Sequence, residues 1–275
     1  MILRLVIIVI VAIPVSRAFR PLDPAFVQEW ADAHALTITP VNRPLVEHYL
    51  ATARKLRTLG AVAGLFLAPL LVWAVGAEGG RANLFWILPG YLLGALYAEL
   101  ALNRPLDAKR AAALTPRHVA DYLPQRLLLA QRTAGVLCAL GGVVVAMSGL
   151  GQESASDGAL LAPATIGTAL AIGLELIERH IVRRPQPVVA PDLLAADDAI
   201  RSQSVHSVAG SGVAMLLLAA GAVPFAVAQS TDEPLRGLLS LAIVLLSFVG
   251  PFVAWLYYGH RAWRVRRAPV VGAPA

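Results

Sequence analysis

Acid–base or metal chemistry in this chain would have to be built from few side chains, among them Glu99, Glu175, Asp197 and Asp198. The most polar helical run is ADDAIRSQSVHS, residues 196–207, and it carries two of them. A magnesium site built on paired aspartates needs further aspartates three or four residues away, and the run has none. The expected reading is a solvated helix face on which Asp197 and Arg201, four apart with the acid first, form a surface pair. Glu175, Asp197, Asp198 and Arg201 together make a candidate polar cluster at the cytoplasmic surface. The six histidines show neither HExxH nor another close ligand pair, and neither GxxxxGK[ST] nor GxSxG occurs. No catalytic set, metal site or cofactor site is expected, and an enzyme is not the favoured class.

Composition explains why chemistry is so thinly represented. Hydrophobic residues make up 57% of the chain and charged residues 15%, a balance that a soluble domain of this size could not hydrate. The single cysteine, Cys138, lies in an apolar run, so neither an intramolecular disulfide nor a thiolate metal cluster is available. A hydrocarbon core of about 30 Å requires about 20 apolar helical residues. Residues 59–77, 82–102, 133–152, 158–177, 205–228 and 238–258 meet that requirement. A seventh segment, residues 5–16, is short unless Arg4 and Arg17 reach outward to the headgroups. Ser16 and Ala18 also suit a signal-peptidase site.

Charge decides between these two readings. If the first helix is kept and the N-terminus is outside, the inner segments are 16–58, 103–127, 178–204 and 259–275. They hold 6, 5, 4 and 4 Lys or Arg, against Arg4, Arg81 and Arg236 outside. Positive residues collect on the cytoplasmic side, so the distribution predicts seven spans, N-out and C-in, in one membrane domain covering 1–275. Cleavage would invert every later loop. The net charge of +6 and pI near 10.0 are therefore topology signals rather than a nucleic-acid footprint. Arginine outnumbers lysine 21 to 2, which together with abundant alanine suggests a GC-rich bacterial genome and a plasma membrane.

With the spans placed, the two RPLD copies at residues 20–23 and 104–107 both fall just inside the membrane, after an inward helix. Arg184-Pro185 occupies the third such point. An interval repeats as well: Pro44 to Arg54, Pro116 to Arg126 and Pro191 to Arg201 each span ten residues. Two explanations stand. Either the chain is three helical hairpins plus one helix, or Arg-Pro is simply an effective stop, a snorkelling cation before a helix breaker. Asp23-Pro24 and Thr115-Pro116 read as N-cap followed by N1 of short inner helices. In residues 24–34 the apolar Phe26, Val27 and Trp30 share a face. That helix either lies in the headgroup layer or docks against the bundle.

Inside the spans, Glu99 and Arg132 lie about 6 Å and about 8 Å from the inner ends of consecutive helices at 1.5 Å per residue. They form a candidate intramembrane ion pair, the alternative being that each snorkels separately. GAVAG (60–64) and GYLLG (90–94) are GxxxG faces for close helix contact, and AGSG (209–212) is a third. Pro69, Pro89, Pro163, Pro224 and Pro251 interrupt spans, a feature of moving transporter helices and also of ordinary membrane helices.

The runs VRRPQP and LLAADDAIRSQSVHSVAG resemble segments of uncharacterised integral membrane proteins from actinobacteria. The resemblance covers mainly the final third and implies the class and host, with no activity, cofactor or site residue attached. The expectation is an all-α, multi-pass membrane component whose basic inner face contacts anionic lipid or a protein partner. A small transporter and an enzyme acting on lipid head groups are the alternatives.

Overall fold

A computed structural model describes residues 12–74, 86–102, 110–111, 117–147, 157–184, 186–187, 190–221, 224, 227–228 and 235–259. Outside them lie the Thr115-Pro116 cap, Arg104-Pro105, the outer loops and the C-terminal arginines. Residues 12–18 are helical, and Ala18 is buried. α1 (Pro24–Ala33) starts where the sequence places it, because Asp23 Oδ1 accepts the Ala25 N–H at 2.9 Å and proline fills the first position. It stops at a turn in which Ala35 takes φ 51°, and the Leu36 and Ala35 N–H groups close back on the Ala31 and Asp32 carbonyls.

α2 (Arg43–Ala74) follows a turn locked by the buried Asn42, whose side chain accepts the Thr39 N–H and donates to the Thr37 carbonyl. The expected short inner helix and the returning span are one helix of 32 residues, since nothing between Pro44 and Gly60 breaks it. α6 (Pro191–Ala220) likewise runs 30 residues without interruption. At 1.5 Å per residue both reach well beyond a hydrocarbon core of about 30 Å. The middle inner segment differs: Val119–Asp121 is a single 3₁₀ turn, and Pro124 separates it from α4 (Gln125–Met147). α3 (Ile87–Leu102) and α5 (Asp157–Arg183) are further helices. At the C-terminal end, α7 (Leu235–Val244) passes through a π turn, Leu245–Val249, into α8 (Gly250–Gly259). The widened turn immediately precedes Pro251, which cannot donate to the ladder and would crowd the preceding turn of a regular helix. Arg110–Ala111 and Gln186–Pro187 form a two-residue antiparallel bridge in an otherwise helical structure.

Among the described residues three helices are long and apolar enough to cross a membrane, Gln125–Met147, Pro191–Ala220 and Leu235–Tyr257. Leu129, Val136, Leu140, Ile166, Leu238 and Phe252 stand exposed around the bundle, and many other large apolar side chains do the same. Water would not tolerate such a surface; lipid would. These features mark a membrane protein.

α6 is the central helix, packed by α2, α3, α4, α5 and α8. Its small residues permit approach from several sides, and Ser202, Ser204, Ser207, Ala209, Gly210 and Ser211 are all buried. The two GxxxG faces turn out to be one interface. A Cβ on Gly60 would lie 2.7 Å from the Gly94 Cα, and one on Gly90 would lie 2.7 Å from the Gly64 Cα. α2 and α3 therefore touch backbone to backbone. A second core, of Val27, Ala31, Val46, Leu50, Ala196 and Ile200 among others, docks α1 onto the N-terminal halves of α2 and α6. Val27 is the buried member of the predicted α1 face, and Phe26 is exposed.

Candidate functional site

The glycine contact fixes what meets at the adjoining end of α2 and α3. Arg57 precedes Gly60 by three residues and Glu99 follows Gly94 by five, so antiparallel packing brings them to similar height. Arg57 Nη2 lies 2.9 Å from Glu99 Oε1 and donates to Ser207 Oγ of α6 at 2.8 Å. The Tyr49 hydroxyl completes the node, 3.1 Å from Glu99 Oε2. The Glu99 side chain is 0% exposed and that of Arg57 19%, so the pair is withdrawn from solvent and holds three helices together.

Glu99 is thus paired with Arg57, and the expected Glu99–Arg132 pair does not form. α3 packs mainly against α2 and α6, whereas α4 packs against α5 and α6, so consecutive order did not make these helices partners. Arg132 Nε instead meets Glu175 Oε1 at 2.9 Å, and Arg179 Nη2 meets Glu175 Oε2 at 2.8 Å. This second group closes one end of a groove of about 510 Å³ between α4 and α5, floored by Gly135, Ala139 and Ala171.

The candidate polar cluster divides in the same way. Asp197 and Arg201 do meet, at 2.9 Å, but the expected solvated face is buried: the Arg201 side chain is 0% exposed. Its Nη1 donates to the carbonyls of Val182 and Arg184 at 2.8 Å, closing the C-terminal end of α5, where a cation and donors are both favourable. Arg184 also pairs with Asp197. Asp198 turns to Arg117 at 3.3 Å, and Glu175, on α5, pairs with Arg132 and Arg179 rather than with these residues. The first inner segment contains a matching contact, in which Arg54 Nη2 donates to the Arg20 carbonyl. In both places the arginine ten residues after a proline binds the carbonyl of the arginine in Arg-Pro. Among the described residues no three His, Cys, Asp or Glu side chains gather at metal distance.

Beside the Arg57–Glu99 node, α1, α2, α3 and α6 enclose a cleft of about 430 Å³ lined by Trp30, His34, Tyr49, Arg54, Arg57 and Tyr91, among others. Trp30 stacks on His34 with ring centres 4.2 Å apart, and His34 Nδ1 is 2.8 Å from the Trp30 carbonyl. Burial pulls the His34 imidazole below its ordinary pKa, against the hydrogen bonds to Trp30 and Gln203, which raise it. It is neutral near pH 7. Sequence reading missed Tyr49, Arg57, Ser207 and this cleft. The available signal was the position of Arg57 and Glu99 relative to their GxxxG motifs.

No protein-family model, curated protein or solved structure matches the chain.

Proposed function

We propose that the chain is a multi-pass plasma-membrane component, N-out and C-in with seven crossings, that catalyses no reaction and contacts anionic lipid through its basic inner face. The observation that carries this reading is the segregation of Lys and Arg: the four inner segments hold 6, 5, 4 and 4, and the outer side has Arg4, Arg81 and Arg236. The acids support it. A head-group enzyme would need converging carboxylates, yet Glu99, Glu175, Asp197 and Asp198 each answer to a different arginine. The two Arg-Pro carbonyl contacts, Arg54 to Arg20 and Arg201 to Arg184, favour a repeated hairpin over two unrelated stops.

Each Lys or Arg near an anionic surface contributes roughly 1 kcal/mol, less at high salt. Replacing Arg264, Arg266 and Arg267 together by glutamine is expected to lower the anionic lipid copurifying with the protein, measured by lipid mass spectrometry. Unchanged lipid content would contradict the reading.

A further inference from the structure

The cleft between α1 and α2 has an unusual hydrogen-bond inventory. Trp30 Nε1, Arg54 Nε and Arg57 Nε are buried and bond to no acceptor among the described residues, and all three side chains line this one cleft. Leaving buried donors unpaired is costly, so three on side chains around one cleft call for an acceptor there. All are N–H groups, and an oxygen-rich anion would satisfy the three together.

Charge agrees with donor type. The Arg57 charge is matched by Glu99, but Arg54 has no carboxylate partner among the described residues, its Nη2 being engaged with the neutral Arg20 carbonyl. Burial lowers the His34 pKa, so the arginines supply the charge. Glu29 is the cleft's own carboxylate, and it stands exposed at the rim, where solvent screens it. Arg54 and Arg57 are three apart on α2 and so share a face, while Trp30 approaches from α1. A guanidinium Nε–H in this setting suits phosphate or carboxylate oxygens. The volume is within the range of small-molecule sites. Trp30, Tyr49, Tyr91 and the exposed Phe26 supply an apolar wall beside the donors.

We propose that this cleft is a binding site for a phosphate-type oxyanion, held by Trp30 Nε1, Arg54 and Arg57. The proposal gives the anionic-lipid reading a defined site, and it rests on that reading only for the source of the phosphate.

The test compares two probes, dioleoyl phosphatidic acid in mixed micelles, read by native mass spectrometry, and inorganic phosphate, read by thermal shift. Trp30→Phe keeps the ring stacked on His34 and deletes one donor; Arg54→Gln deletes a second donor and the charge. Each variant is expected to weaken phosphatidic acid binding about tenfold, with ligand-free melting in detergent held near that of the parent. Equal sensitivity with inorganic phosphate would also support the site and assign it to a soluble ligand. Two folded variants that bind both probes like the parent would overturn the site. If they do so while the Arg264, Arg266 and Arg267 replacement still lowers bound lipid, the cleft fails and the inner-face reading stands. Failure of the parent to bind either probe would overturn the site as well.

Discussion

Glu99→Ala is expected to destabilise the detergent-solubilised protein by about 3–5 kcal/mol, because it strands a guanidinium in a largely water-free contact. Glu99 Oε1 is 2.9 Å from Arg57 Nη2, and nothing else described within the node carries a negative charge. Arg57→Ala strands the carboxylate instead, leaving it only the Tyr49 hydroxyl. The double change should cost less than the two single changes added, since neither partner remains to be stranded. A second cycle sharpens the expectation. Glu99 and Arg132 share no partner among the described residues, so their two substitutions should add within about 0.5 kcal/mol. Unfolding in mixed micelles, followed by tryptophan fluorescence, measures both cycles. Additivity in the first, or coupling in the second, would show that the node is misassigned.

Gly60→Ala and Gly90→Ala are each expected to cost about 1–3 kcal/mol, the usual penalty for forcing atoms into a filled space. The space here is filled by backbone, with a neighbouring Cα 2.7 Å from each new Cβ, and backbone cannot step aside as a side-chain tip can. Gly60→Leu should prevent α3 from docking on α2 altogether, and because docking also creates the Arg57–Glu99 contact, the node would be lost with it. Gly173→Ala is the control. Beyond its own stretch of helix backbone no atom lies within 4 Å of its added Cβ, so it should be neutral or stabilising by roughly 0.5–1 kcal/mol through the loss of chain freedom. Equal effects at Gly60 and Gly173 would refute the close contact.

Local signals in the sequence translated directly into structure, and long-range ones did so unevenly. The Asp23-Pro24 helix start needs only neighbouring atoms and is found as expected. Long apolar runs gave helices for the same local reason. The Asp197–Arg201 spacing foretold their contact, yet not its burial, because burial depends on the α5 carbonyls that Arg201 closes from a distant part of the chain. GxxxG marks two surfaces that want a small-residue neighbour without naming it. Here the neighbour of each is the other. Chain order points Glu99 to the next helix, whereas the glycines commit α3 to the helix before. The charge inventory was readable, but the partners were set by packing. Trp30, Arg54 and Arg57 belong to three different sequence features, an apolar helix face, the proline-to-arginine interval and the flank of a GxxxG, and only the docking of α1 on α2 gathers them at one cleft.

The membrane orientation of the basic segments is the central claim, and single-cysteine labelling in intact cells tests it most directly. In a Cys138→Ala background, Glu153→Cys and Asp232→Cys should react with a membrane-impermeant maleimide added from outside. Ala190→Cys, beside the Arg184-Pro185 stop, should react only after the cells are permeabilised. Labelling of Ala190→Cys in intact cells, with Glu153→Cys and Asp232→Cys protected, would invert the topology and remove the basic face from the cytoplasm.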